Sequence, residues 1–185
     1  ALSSRGFFEG SYSKPQIDKE ILKQHSQGLI ALSGCLEGEI PDRILAGDLE
    51  GAKRAAQEYR EIFGSKNFFL ELQDQGLPGQ GQVNAALIKL GQELGLDVVA
   101  TNNTHYLKEA DAKIHDLLFC IRTDKTLAQL EKPFETNEFY FKSPQQMQAL
   151  FSSVPEAIIN TIKIAERCQL ELEFCGLHLP RFPVP

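Results

Sequence analysis

Apolar positions along the first half of this chain alternate between dense short runs and spaced stripes. Residues 28–33 (GLIALS), 68–72 (FFLEL) and 97–101 (DVVAT) are strand-length runs rich in aliphatic or aromatic residues, each ending in small or polar ones. Between the first two lies PDRILAGDLEGAKRAAQEYREIFG, which has helical character. Pro41 suits a first helical turn, Asp48 can cap a second helix and Gly64 can close it. Leu49, Ala52, Ala56, Tyr59 and Phe63 recur at helical spacing and predict one buried stripe. Residues 83–94 predict another amphipathic helix, stopped by Gly95. Strand, helix, strand, helix, strand implies parallel pairing through right-handed crossovers. The pattern fits an open α/β sheet or part of a barrel and does not choose between them.

After His105 the texture changes. Residues 109–121 read as helix, and 123–138 as polar and irregular. Two stretches then have capping-box spacing: Ser143-Pro144-Gln145-Gln146 and Ser153-Val154-Pro155-Glu156. The second opens a helix in which Ile158, Ile162 and Ala165 line up, ending near Cys168. The final HLPRFPVP carries prolines that block helix and central strand alike, so it reads as an extended exit segment.

Composition narrows the class. With 185 residues, 42% hydrophobic and 24% charged, the chain suits one globular domain and not a disordered segment. No apolar run approaches the roughly 18 residues of a membrane span, and residues 1–10 lack a signal-peptide pattern. A soluble, cytoplasmic protein is expected. The 19 basic against 25 acidic residues give a net charge of -6, a poor match to a main phosphate-gripping surface. Cys35, Cys120, Cys168 and Cys175 have no CxxC spacing and read as free thiols. The single methionine is Met147 and the chain opens on Ala1, which suggests a fragment.

In parallel α/β architectures, sites assemble where the strands end at their carboxyl side. The residues there are Ser33, Gly34 and Cys35, then Glu71, Gln73 and Asp74, then Thr101, Asn102, Asn103 and His105, predicted to share one rim. Asn103 and His105 point the same way if that stretch is extended. Cys35 and His105 are reasonable zinc ligands and Asn103 a weaker one. The competing reading is a buried thiol and an ordinary loop histidine. Glu71, inside an apolar strand, either faces the site or pairs with a cation. Asp74 reads as a turn residue with Gly76, and GLPGQGQ as a turn that matches no phosphate loop. His115 reads as a helix-surface or packed residue, while His25 and His178 read as solvated.

Several stretches occur together in an order that resembles one family. They are GLIALSGCLEGEIP, FFLELQDQGLPGQ, VVATNNTHYL, HDLLFCIRT, EAIINTIKIAERCQLEL and HLPRFPVP, with EGSYSKPQIDKEIL ahead of them. Together they resemble the bacterial replicative (family C) DNA polymerase III alpha subunit, from the middle of its PHP domain to just before the polymerase core. The resemblance covers essentially the whole chain. It implies an α/β fold, part of a distorted PHP-type (β/α) barrel, with a C-terminal helical extension. Residues 1–123 would be the later part of the PHP domain, and 124–185 the extension leading to the core.

The resemblance also implies a role. In some members of the family the PHP site is a complete metal-dependent 3'-5' exonuclease; in others it is a scaffold for a separate proofreading exonuclease subunit. The matching metal positions fall on Cys35, Asn103 and His105. Asn103 stands where the family commonly has Asp, Gln75 stands where many relatives carry His, and the opening HxH is absent. Zinc or another divalent metal is expected in the complete site, and magnesium at the downstream polymerase site. This stretch alone is expected to be inactive, with no catalytic residue assigned. Expected partners are primer-template DNA and other holoenzyme subunits, the proofreading exonuclease among them. A stand-alone PHP-type phosphoesterase, or an α/β domain with no metal, are the competing readings. Cutting a barrel leaves open edges, so residues 1–27 are expected to pair with another chain or to be disordered.

Overall fold

The apolar runs form one parallel sheet, as the helices between them require. A computed structural model describes residues 2–9, 16–129 and 136–171. Helices α1 (Leu2–Glu9) and α2 (Lys19–Gln24) precede strand β1 (Ala31–Leu32). Helices α3 (Glu39–Leu45) and α4 (Leu49–Phe63) lead to β2 (Phe68–Leu72), and α5 (Gln80–Leu94) leads to β3 (Val98–Ala100). The sheet has the order β1-β2-β3, and both pairings are parallel. Strand β1 is shorter than its apolar run, whose first residue, Gly28, has φ 78, outside the extended region. Of residues 1–27, expected either to pair with another chain or to be disordered, Leu2–Glu9 and Lys19–Gln24 are helical.

Side-chain alternation divides the sheet into two faces. Phe68, Leu70, Leu72, Val98 and Ala100 join the core built with Ile44, Ala52, Ala56, Val83 and Leu87 from the helices. Phe69, Glu71 and Val99 belong to the other face by the same alternation. Asp48 caps α4 as expected, its Oδ1 accepting the Gly51 N–H at 2.8 Å. Gly64, at φ 80, ends that helix, and Gly95, at φ 61, ends α5.

The buried arc of α4 keeps the predicted Ala52, Ala56 and Phe63, with Tyr59 partly buried against the core, but not Leu49. It is centred on Gly51, Ala52, Ala55 and Ala56 with Phe63, while Leu49 is 59% exposed. Small side chains let the helix lie close to the sheet. Leu49, on the first turn, borders an outer groove with Ala86 and Leu90 of α5 instead.

Beyond β3, a short 3-10 turn (Glu109–Asp111) enters α6 (Ala112–Thr123). Helices α7 (Pro144–Leu150) and α8 (Pro155–Arg167) follow. The first predicted capping box forms: Ser143 Oγ accepts the Gln146 N–H and Gln146 Oε1 accepts the Ser143 N–H. The second does not. Helix α8 starts after Val154, without a side-chain cap, because Val154 is drawn into the core and Pro155 at the next position has no N–H to satisfy.

Of the line predicted on α8, only Ile158 packs against the core. Ala157 and Asn160 are buried, whereas Ile162 is 61% exposed and Ala165 is exposed. The reason is polar. Asp97 O and Thr101 N bond to β2, so the Val98 carbonyl points off the sheet's edge. Asn160 Nδ2 donates to it at 2.8 Å, and the small Ala157 lets the helix approach. One helix thereby covers an edge that would otherwise offer unpaired backbone groups.

His25, expected to be solvated, is half-buried. At the end of α2 its Nε2 is buried, with no hydrogen-bond partner among the described residues, in a cleft with Leu2 and Leu29. Among the described residues, Cys35, Cys120 and Cys168 are free thiols. No described helix is long and apolar enough to cross a membrane. Cys175, His178 and the proline-rich end lie outside the described residues.

Candidate functional site

The turn after β1 folds back over β2 because Gly34 takes φ 85. That turn aims the Gly34 N–H at Glu71 Oε2, 3.1 Å away, and presents Ser33 Oγ to the Glu71 N–H at 2.8 Å. Thr101, just past β3, donates its hydroxyl to Glu71 Oε1 at 2.5 Å, and Gln73 Nε2 donates to the same oxygen at 2.9 Å. Three separate strand ends therefore meet on one carboxylate. Glu71 faces the rim, and its donors among the described residues are all neutral.

A second layer of amides surrounds this cluster. Gln75 and Gln80, both buried, bond to each other twice: Gln80 Nε2 donates to Gln75 Oε1 at 2.7 Å, and the Gln75 N–H donates to Gln80 Oε1 at 2.9 Å. Gln80 Oε1 also accepts the Leu77 N–H at 3.0 Å, which pins the glycine-rich turn. Asn84 Nδ2 holds the Gln73 carbonyl at 2.9 Å. Thr136 Oγ1 reaches the Gln75 carbonyl at 2.8 Å and ties in the segment that carries Phe139. Asp74 stands apart: its Oδ1 accepts the Gly76 N–H at 3.1 Å and closes the predicted turn.

Cys35 and Asn103 line one cavity of about 350 Å³ together with Gln73, Gln75, Gln80 and Phe139. His105 approaches it through Asn103, with Nε2 3.1 Å from Asn103 Oδ1. The predicted ligands thus lie toward the same end of the sheet, but two of them are spent on each other. A carbonyl oxygen only accepts, so in this contact Nε2 carries the imidazole proton. Among the described residues no group of three or more His, Cys, Asp or Glu is placed to hold a metal ion.

The PHP domain family matches residues 1–75. Over its whole length the chain is 42% identical to the DNA polymerase III subunit alpha of Treponema pallidum. It is 43% identical to that of Thermus aquaticus and 42% identical to that of Deinococcus radiodurans. The chain belongs to the DNA polymerase III alpha-subunit family. It spans 16% of the length of the first two relatives and 14% of the third.

Within this polymerase-family chain, sequence reasoning missed four residues of the rim. Gln75 and Gln80 sit in a stretch that reads as turn, and nothing in the spacing marks an amide as buried. Phe139, 1% exposed, lies just past the segment expected to be irregular, in a stretch given no reading. Its carbonyl accepts the His105 N–H at 2.8 Å, and Tyr106 pairs with Tyr140 as a bridge beside it. The fourth is His115, which α6 brings edge-on to His105 with ring centroids 5.5 Å apart.

These contacts set the charge of His105. Burial pushes its pKa below the ordinary histidine value, and the like charge of His115 pushes it the same way. The neutral form is favoured in the fold. This contribution to stability is present above the unfolded value of about 6.5 and is lost as pH falls through it towards the folded value. In a proton-detected titration His105 is expected to protonate below that value. His115→Asn should raise its pKa only in part, because burial is the larger cause; an unchanged or lower pKa would remove His115 from the account.

Proposed function

We propose that this chain is part of a replicative DNA polymerase whose DNA-directed synthesis is carried by residues outside it, and that its PHP portion serves there as a scaffold. The observation behind the scaffold role is the rim itself. The one carboxylate at its centre, Glu71, is engaged by a backbone N–H, a hydroxyl and an amide. Around it carboxamides bond to one another and to the backbone. A cluster of divalent cations needs several anionic or imidazole ligands to offset its charge and fix its geometry. One thiol, the imidazoles of His105 and His115, the exposed Glu37 carboxylate and a neutral amide already bonded to His105 are not gathered, among the described residues, into a group that would hold such a cluster. No catalytic step is assigned to a metal here, and this stretch alone is inactive in this reading.

In the same reading the three strands are one arc of a PHP-type barrel, with Phe69, Glu71 and Val99 turned to its interior. Residues 1–123 form the later PHP portion and 124–185 the connection towards the polymerase core. Primer-template DNA, magnesium and the other holoenzyme subunits engage the rest of the polypeptide. A separate proofreading exonuclease subunit is the partner that a scaffold of this kind serves.

A metal-dependent exonuclease is the second reading, favoured by Cys35 and Asn103 lining one cavity with His105 bonded to Asn103. It needs zinc or another divalent ion and further ligands from the rest of the polypeptide. The full-length protein separates the two. It is expected to extend a primer, to leave a mismatched 3' end intact without its partner subunit, and to retain no stoichiometric zinc after gel filtration. Excision that disappears in His105→Ala, with zinc retained, would replace the scaffold by the nuclease. Failure to extend a primer would favour a stand-alone phosphoesterase.

A further inference from the structure

Helix α6 is amphipathic the wrong way round. Its buried residues are the small Ala112 and Cys120. Its large aliphatic residues point outward: Ile114 is 56% exposed, Leu117 46%, Leu118 60% and Ile121 78%. Positions i, i+3, i+4 and i+7 fall on one helical face, so these four make a single stripe. Exposed Leu107 and Leu127 flank the helix in sequence. Among the described residues, the main packing of α6 is on the 3-10 turns on either side of it, Glu109–Asp111 and Leu127–Gln129, and not on the sheet or the other helices. A helix this short gains its stability from burying an apolar face, and the face it buries here is its small one.

We infer that the outward stripe of α6 docks against the remainder of the same polymerase polypeptide. This rests on the reading of the chain as one part of a polymerase alpha subunit. Two observations choose that occupant. The chain spans only 16% of the length of its Treponema and Thermus relatives, so most of such a subunit lies outside it. The stripe is also small: four side chains on one helix fall short of the roughly 1,200–2,000 Å² of a stable interface between separate chains. An intramolecular partner does not lose translational and rotational freedom on docking, so a small patch suffices. A second copy or a separate subunit would need a larger surface.

The test is made on the full-length subunit. p-Benzoylphenylalanine is placed at position 121, and in a second protein at position 118 in case the first substitution disturbs folding. Each is irradiated and its cross-linked peptides are mapped. The expected product is an internal cross-link from α6 to a segment outside the stretch equivalent to residues 1–185. A cross-linked dimer, a cross-link to another subunit, a link confined to residues 1–185, or no link at either position overturns the inference. The underlying reading fails separately, if the native protein bearing these residues is not of polymerase length or does not synthesise DNA. If it does both and the cross-link is absent, only the docking is wrong.

Discussion

Replacing Phe68 by alanine is expected to destabilise the fold by about 3–5 kcal/mol, read from the shift of the denaturation midpoint. Phe68 is 1% exposed on the central strand β2. Its ring stacks on Tyr59 at 5.3 Å and on Phe63 at 6.4 Å between centroids, so it joins α4 to the sheet. Truncation would leave a cavity under a helix whose other buried residues are glycine and alanine and have no reach to fill it. Against a typical net stability of about 5–15 kcal/mol, that loss is large enough to unfold a marginal domain. A change below about 1 kcal/mol would mean that α4 collapses onto the strand and the stacking is unimportant.

The second large effect is at Glu71. Glu71→Leu removes the acceptor shared by Gly34, Gln73 and Thr101 and leaves those donors facing an apolar group. Each unsatisfied buried donor costs about 1–3 kcal/mol; because the rim is only half-buried and water can reach it, the low end applies, about 3 kcal/mol in total. Glu71→Gln keeps one acceptor oxygen and the shape, so it should lose less. In the scaffold reading, DNA synthesis per folded molecule stays unchanged in both variants. Calorimetry together with primer extension on the full-length protein separates the effects. Full stability with lost synthesis would mean that Glu71 acts in chemistry and not in holding the strand ends together.

The strands, both ends of α4 and the end of α5 were legible because local signals act over a few residues, whereas α5 starts at Gln80, three residues before the expected 83. Asp48, Gly64 and Gly95 cap or end their helices in ways set by side-chain reach and by the left-handed backbone that glycine permits. The Ser143–Gln146 box was legible for the same reason. At Ser153 the same spacing failed, since Val154 gains more by entering the core than the serine hydroxyl gains by capping. On α8 a period of apolar residues pointed to Ile162, yet the packed face is led by Asn160. A buried amide is recognisable only once the carbonyl it serves is in place. The candidate site was half legible. Strand ends named Ser33, Gly34, Glu71, Gln73 and Thr101, while Gln75, Gln80, Phe139 and His115 arrived from segments whose spacing carried no sign of the rim.

By itself the sequence determined the strand-helix alternation, hence parallel strands, and through its ordered stretches the polymerase family. Tertiary structure decided which rim groups are occupied: it turned Glu71 inward to neutral donors and paired His105 with Asn103. It also left the aliphatic side of α6 outward. Periodicity encodes which residues share a face, because that follows from covalent geometry over a few residues. What each face meets depends on chain segments brought together from far apart, and no local pattern carries that.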